Sequence, residues 1–354
     1  MKIMRISFIG DLMIGDTPIT FGYGIDSKHN IDGYSNIFNH VAKELHQSDI
    51  TVGNFEAIIR PRHVSNTFEE WEMCCDERIC DELIKANISI VSLANNHSMD
   101  YGSEWFINTK QLLKSHGITI IGLKEKPYEI LSLNNSKIAI IGISYVNSKY
   151  QDPLFFYKPK KDEVLKIINE IGEVDQIIGY VHWGTEFIQS PDINQCTIAE
   201  ELIECGVDVI IGHHPHILQQ GYLVNDKPVF FSIGNFVSDY WQKRFRKTVI
   251  LNCEINDSVK WTQYNCLINL NGQPVFQSVE MLNLDVFNNC ISTDRGKLIA
   301  RYQVRLEYLH HFLRNFLKTK DKLALIKWLL KRIKYVITNV NNEYRNPGII
   351  YEKY

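Results

Sequence analysis

Five short apolar runs in this chain each lead into residues able to bind a metal or move a proton. They read Ile-Ser-Phe-Ile-Gly-Asp-Leu-Met at 6–13, Ile-Thr-Val-Gly-Asn-Phe-Glu at 50–56 and Ile-Ser-Ile-Val-Ser-Leu-Ala-Asn-Asn-His at 88–97. The other two are Ile-Ile-Gly-Tyr-Val-His-Trp-Gly-Thr-Glu at 177–186 and Val-Asp-Val-Ile-Ile-Gly-His-His-Pro-His at 207–216. Apolar runs of this length bounded by turn residues read as buried strands. Ligands of open α/β sheets gather outside the carboxyl ends of the strands. The five strand ends therefore carry Asp11, Glu56, Asn96, His97, His182, His214 and His216 toward one place. Carboxylate, amide and imidazole without thiolate suit a hard or borderline divalent cation.

Each residue also has a plainer reading. Asp11 supplies a carboxylate ligand or caps a turn. Glu56 has two oxygens and could bridge two cations, or it is a loop acid in solvent. The Asn96 carbonyl can ligate a hard cation, and His97 beside it can act as acid or base; the alternative is a chance Asn-Asn-His loop. His182 alone is equally a satisfied core histidine. Gly-His-His-Pro-His is the strongest local signal. In an extended segment His214 and His216 point the same way, so both can approach a metal pair.

Composition excludes more than it selects. With 354 residues and 45% apolar content, the chain fits one large or two ordinary soluble domains. A net charge of −3 gives no overall attraction to nucleic acid. Lys2 and Arg5 are followed by Asp11 before any signal-peptide core develops, and no stretch reaches the roughly 18 apolar residues of a membrane span. The eight cysteines lack paired spacing and read as reduced core thiols. Cys74, Cys75 and Cys80 lack a nearby fourth ligand for a thiolate site.

The elements that must position these residues alternate. Helices are expected at 34–47, 76–86, 103–116, 161–171 and 194–205, between the strands named above. Further strands are expected at 118–121, 128–133 and 137–143, and hairpin strands follow from 222 to 282. Alternating α/β units followed by antiparallel strands imply two stacked sheets with helices outside. The chain divides into a domain at 1–293 and an extension at 294–354. Between Arg301 and Lys334 lie ten Lys or Arg against two acids, with leucines and isoleucines on helical spacing. This predicts two basic amphipathic helices, either packed on the domain or docked to an anionic membrane face or biosynthetic partner through 301–334.

In order along the chain, Gly-Asp-Leu-Met, Asn-Phe-Glu, Leu-Ala-Asn-Asn-His-Ser-Met-Asp-Tyr-Gly, His-Trp-Gly-Thr-Glu, Gly-His-His-Pro-His and Ser-Ile-Gly-Asn-Phe occur over about residues 3–239. The series closely resembles the bacterial poly-γ-glutamate capsule biosynthesis (CapA-type) family, which in turn looks like a branch of the calcineurin-like metallophosphoesterases. The resemblance implies a four-layer α/β/β/α sandwich, here with a C-terminal helical extension, and two divalent ions: Mn, Fe or Zn. It implies Asp11 and His216 on one metal, Asn96, His182 and His214 on the other, and Glu56 bridging. His97 would be the general acid on the substrate side, with His213 and Asn235 assigned to substrate contact and Glu186 either completing the metal shell or contacting substrate. Two positions depart from the phosphoesterase pattern: Met13 stands where a second metal-binding His is usual, and Glu56 replaces an Asp.

The expectation is a metal-dependent hydrolase of a phosphoester or related bond, acting on a capsule or envelope polymer precursor. The alternatives are a non-catalytic accessory subunit of a polymer-synthesising complex and a γ-glutamyl amide hydrolase or transferase. Many relatives carry an N-terminal membrane anchor. This sequence opens on the first strand, so the reading is a cytoplasmic protein, peripheral at most to the inner membrane face, with no nucleic-acid partner.

Overall fold

The computed structural model describes residues 4–17, 20–60, 73–133, 136–255, 259–284 and 287, with isolated positions between 313 and 330. Its first half runs β1 (Met4–Leu12), α1 (Ile25–His29), α2 (Ala42–Leu45), β2 (Ile50–Phe55), β3 (Ile58–Ile59), β4 (Cys74–Cys75), α3 (Ile79–Lys85), β5 (Ile88–Ser92), α4 (Gly102–Ser115), β6 (Thr119–Ile121), β7 (Tyr128–Leu133) and β8 (Ser136–Ser144). There follow α5 (Lys161–Ile171), β9 (Gln176–His182), α6 (Ile193–Glu204), β10 (Val209–His213), β11 (Gly221–Val224), β12 (Lys227–Phe230), β13 (Asn235–Val237), β14 (Lys247–Ile255), β15 (Val259–Ile268) and β16 (Pro274–Leu282).

Two sheets carry the molecule. One has the order β16-β15-β14-β1-β2-β5-β6, with β13 also paired to β1; the other has the order β11-β12-β10-β9-β8-β7. In the first sheet β1, β2, β5 and β6 are parallel, and β14 to β16 form an antiparallel wing. In the second, β8, β9, β10 and β12 are parallel, with antiparallel β7 and β11 at the edges.

Alternation along each strand builds the layers, because successive side chains point to opposite faces. Ile6, Phe8, Val52 and Ile90 of the first sheet meet Ile138, Ile140, Ile178 and Tyr180 of the second in one buried core. On its outer face the first sheet buries Leu12, Phe55 and Val91 against Leu83, Phe106 and Leu113 of the helices. The second sheet buries Ile141, Val181 and Ile210 against Val164, Ile171, Ala199 and Leu202 of α5 and α6. The expected four-layer α/β/β/α order is present.

The helix expected at 34–47 is a correction. Only α2 is helical there, and the residues before it are turns. Asn39 Nδ2 donates to Asn36 Oδ1 at 2.6 Å, and Asn36 Nδ2 contacts Asp32 and Ser35. Such local polar bonds compete with a helical backbone. The seven cysteines within the described residues are free and buried, as expected. The basic helices expected within 294–354 lie outside the described residues, apart from isolated positions. No helix among the described residues is long and apolar enough to cross a membrane.

Candidate metal centre

Strand register gathers the polar residues. In the first sheet Asn235, Asp11, Asn54 and Ser92 are successive partners across β13, β1, β2 and β5. In the second, His213, His182 and Ser144 are partners across β10, β9 and β8. Registered parallel neighbours present their side chains on the same face, so each sheet carries a polar row at its carboxyl end. Close approach of β1 to the loop before β13 requires Gly10: a Cβ there would lie 2.0 Å from the Gly234 carbonyl oxygen. Gly212 is equally constrained, since a Cβ would meet the Phe231 carbonyl oxygen at 2.1 Å.

Asn54 joins the two rows. Its Nδ2 donates to Asp11 Oδ1 at 2.7 Å and lies 3.2 Å from His182 Nδ1. Its Oδ1 accepts from Asn95 Nδ2 at 3.2 Å. Asn95 Oδ1 in turn accepts from the His97 backbone N–H and the Ser98 hydroxyl, which sets the 95–98 loop. His182 Nε2 and Asn96 Oδ1 are 2.8 Å apart, close enough to flank one cation. Asn235 Oδ1 accepts from His216 Nδ1 at 2.8 Å, and His216 Nδ1 is 3.4 Å from Asp11 Oδ2.

His214 and His216 do not converge by strand alternation, as an extended segment would have it. β10 ends at His213, and φ is +92° at His214 and +54° at His216. Phe187 on the facing loop has φ +65°. Non-glycine residues hold such conformations only where their surroundings over-determine them. Here the Phe187 N–H donates to the Pro215 carbonyl at 2.7 Å, and the His214 N–H donates to Asp11 Oδ2 at 3.2 Å. Turning replaces alternation and leaves the two imidazole centroids 5.6 Å apart.

Glu56 is the centre of the arrangement. It is fully buried, and neither carboxylate oxygen has a hydrogen-bond partner. Around Oε1 stand three ring nitrogens: His182 Nε2 at 3.8 Å, and His97 Nε2 and His216 Nε2 each at 3.9 Å. A buried carboxylate without donors is costly unless a cation compensates it. Burial lifts the Glu56 carboxyl to about 8, although the His216 charge pulls it down. Burial likewise keeps His182 well below the ordinary imidazole range and pushes His214 down to about 4. Both are therefore neutral at pH 7, the form that ligates metals. For His216, burial is outweighed by the Glu56 charge and by Asp11, which lift it to about 10. Burial would raise Asp11, but the imidazoles of His213 and His216 beside it hold it well below the carboxylate range.

Three groups have their ligand atoms within 4.8 Å of one another: Asp11, Glu56 and His216; Glu56, His182 and His214; and Glu186, His214 and His216. Glu56 belongs to the first two. Oxygen and imidazole donors, an orphaned buried carboxylate and neutral histidines fit divalent Mn, Fe or Zn.

All the residues expected at the site from sequence are brought to it. His213 and Asn235, expected at the substrate, are buried: His213 lies against the Tyr180 ring with a 4.1 Å centroid separation, and Asn235 orients His216. Three residues that do supporting work were not singled out from sequence. Asn54 and Asn95 sit inside the quoted strand-end motifs, so their proximity to Glu56 and Asn96 was the available signal. The third is Asp100, whose Oδ2 lies 2.6 Å from His97 Nδ1 and whose other oxygen is 3.4 Å from Lys149 Nζ. Burial would raise Asp100, but His97 and Lys149 outweigh it and hold it below its ordinary value.

A family model described as bacterial capsule synthesis protein matches residues 5–240. Among characterised sequences, the capsule biosynthesis protein CapA of Bacillus anthracis is 25% identical over 276 residues, covering 72% of this chain and 64% of that protein. The PGA biosynthesis protein CapA of Bacillus subtilis (strain 168) is 27% identical over 267 residues, covering 70% and 67%. The chain thus spans just under two thirds of the first relative's length. A solved structure similar in chain path is the NAD nucleotidase of Haemophilus influenzae, at 15% identity and a TM-score of 0.43, covering 86% of this chain and 68% of that one.

Proposed function

The chain belongs to the bacterial capsule synthesis protein family, and we propose on that footing that it is a two-metal hydrolase of a phosphoester or related bond in the making of a capsule or envelope polymer. The observation that carries the reading is Glu56: a buried carboxylate with both oxygens unpartnered, common to two ligand groups. Asp11 and His216 would hold one divalent ion, and Asn96, His182 and His214 the other, with Glu56 between them. Glu186, near His214 and His216, would add a carboxylate to either. Bound divalent cations supply Lewis acidity toward an ester oxygen and make water acidic enough to attack near neutral pH.

The remaining steps belong to side chains. Asn54 fixes the rotamers of Asp11 and His182 before any ligand arrives. Neutral His182 and His214 offer lone pairs without first losing a proton. The Asp100 carboxylate accepts a hydrogen bond from His97 Nδ1–H, leaving Nε2 directed toward Glu56 and the reacting bond. Protonated His97 gives its Nε2 proton to the leaving oxygen as the ester bond breaks, and solvent then reprotonates it. Orienting partners of this kind matter because a general acid must sit within hydrogen-bond reach of its acceptor.

The test is metal analysis of protein loaded with Mn²⁺, Fe²⁺ or Zn²⁺, alongside turnover of phosphomonoesters, phosphodiesters and γ-glutamyl peptides. Two ions per chain and metal-dependent ester hydrolysis are expected. Metal without turnover of any ester would favour the accessory-subunit reading. Turnover of γ-glutamyl peptides alone would favour the amide hydrolase. Protein that takes up no metal would overturn the proposal.

A further inference from the structure

We propose that His213 is a positioning residue for the Asp11 carboxylate, compensating at the first ion's site for the histidine that Met13 replaces. The inference rests on the two-ion reading for the identity of that site. It departs from the sequence expectation that His213 meets substrate, because the side chain is only 1% exposed.

Strand register puts His213 in place. Val209, Ile211 and His213 alternate onto one face of β10, and the first two lie in the core between the sheets. The His213 ring rests on Tyr180 with centroids 4.1 Å apart, and the Tyr180 hydroxyl donates to the Ile9 carbonyl of β1. His213 then returns to β1 two residues further on, where its Nδ1 lies 3.2 Å from Asp11 Oδ1. The backbone is held too: the His213 carbonyl accepts from the Trp183 N–H at 3.1 Å.

Two observations make His213 a brace rather than a ligand or a filler. Both ring nitrogens are buried, and neither has an aligned hydrogen-bond partner among the described residues. A buried imidazole left idle is costly where an aliphatic side chain would not be. Nδ1 nevertheless stands within donor reach of Oδ1, and a turn of the ring about its soft χ2 torsion aligns the two. Secondly, none of the three groups of converging ligand atoms among the described residues includes His213. Asp11 Oδ2 accepts from the His214 N–H at 3.2 Å and faces His216 Nδ1 at 3.4 Å. Oδ1 accepts from Asn54 Nδ2 at 2.7 Å and faces His213. Donors from Asn54 and His213 on Oδ1 fix the carboxylate plane and keep Oδ2 on the side of His216. Partners of this kind orient ligands and raise metal affinity. With the thioether of Met13 buried where an imidazole is usual, this site depends more on the orientation of the ligands it has.

The experiment uses the full chain, stripped with chelator and titrated with Mn²⁺. Calorimetry reads the affinities, and electron paramagnetic resonance distinguishes a coupled ion pair from a lone ion. Wild type should take two ions and show the coupled pair. His213→Leu should weaken the Asp11 site about 10–100-fold, with the Asn96, His182 and His214 site unchanged, so a lone-ion spectrum should appear at intermediate Mn²⁺. His213→Asn should recover most of the loss, because its amide nitrogen takes the place of Nδ1. His213→Gln should not, because its amide reaches the place of Nε2. A side chain that only fills space would not separate Asn from Gln and would not select one ion over the other. Melting curves in chelator identify misfolded variants; if His213→Leu fails to fold, the Asn and Gln pair carries the test. Equal weakening of both sites, unchanged affinity in every variant, or Asn no better than Gln would overturn the inference while the two-ion reading stands. Wild type that takes one ion or none would overturn that reading and the inference with it.

Discussion

Replacing Glu56 by Gln should stabilise the metal-free protein while removing its response to metal. Glu56 is buried without a hydrogen-bond donor on either oxygen, and burial raises its carboxyl from 4.5 to about 8. A folded-state pKa above the unfolded one means that stability is present below about 4.5 and is lost as pH rises toward 8. At pH 7 the accumulated cost is about 3 kcal/mol, from about 1.4 kcal/mol per pH unit over the interval traversed. Part of it returns, because His216 loses the carboxylate that helps hold its proton. A net gain of roughly 1–3 kcal/mol is expected, a rise in Tm of a few degrees at roughly 2–4 °C per kcal/mol. The gain should shrink below about 1 kcal/mol at pH 5, where the native Glu56 is protonated and the unfolded one only partly ionised. Calorimetric melts in chelator at pH 5, 7 and 8 measure this. With Mn²⁺ at about 1,000 times Kd the order should invert, since wild type then gains about 4.1 kcal/mol and the variant gains little. Metal-free E56Q that melts below wild type at pH 7, or that responds to Mn²⁺ as wild type does, would refute the reasoning.

Other substitutions separate the remaining roles. His214→Ala should cost metal and activity together, whereas His97→Ala should keep metal and lose turnover by roughly 10²–10⁴-fold; metal analysis of both variants decides. Asn54→Leu removes one amide from Asp11, His182 and Asn95 at once, so metal affinity should fall roughly 10–100-fold with the ligands themselves intact, as titration calorimetry would register. Gly10→Ala should destabilise by several kcal/mol, on the order of the cost of overpacking a core or more, because its Cβ would meet the Gly234 carbonyl; a chemical denaturation curve like that of wild type would contradict the close approach of β1 to that loop.

The sequence by itself determined the ligand types and the strand ends that carry them. Asp11, Glu56, His182 and the Gly-His-His-Pro-His run each follow an apolar run too regular to be a surface loop, and the order of the motifs points to the family. Two stacked sheets also followed from pattern, because alternating α/β units must bury both faces of a sheet. What only the tertiary structure decided is how the donors meet. Asn54 gives no hint from its spacing that one amide serves Asp11, His182 and Asn95, since these come from three strand ends brought together by sheet register and sheet stacking. Asp100 follows His97 by three residues, yet its pairing depends on the turn that Asn95 closes. His214 and His216 converge through left-handed backbone, which no alternation rule encodes. Local sequence specifies elements through steric preference and hydrophobic period, whereas side-chain partnership across two sheets depends on packing between residues distant in the chain.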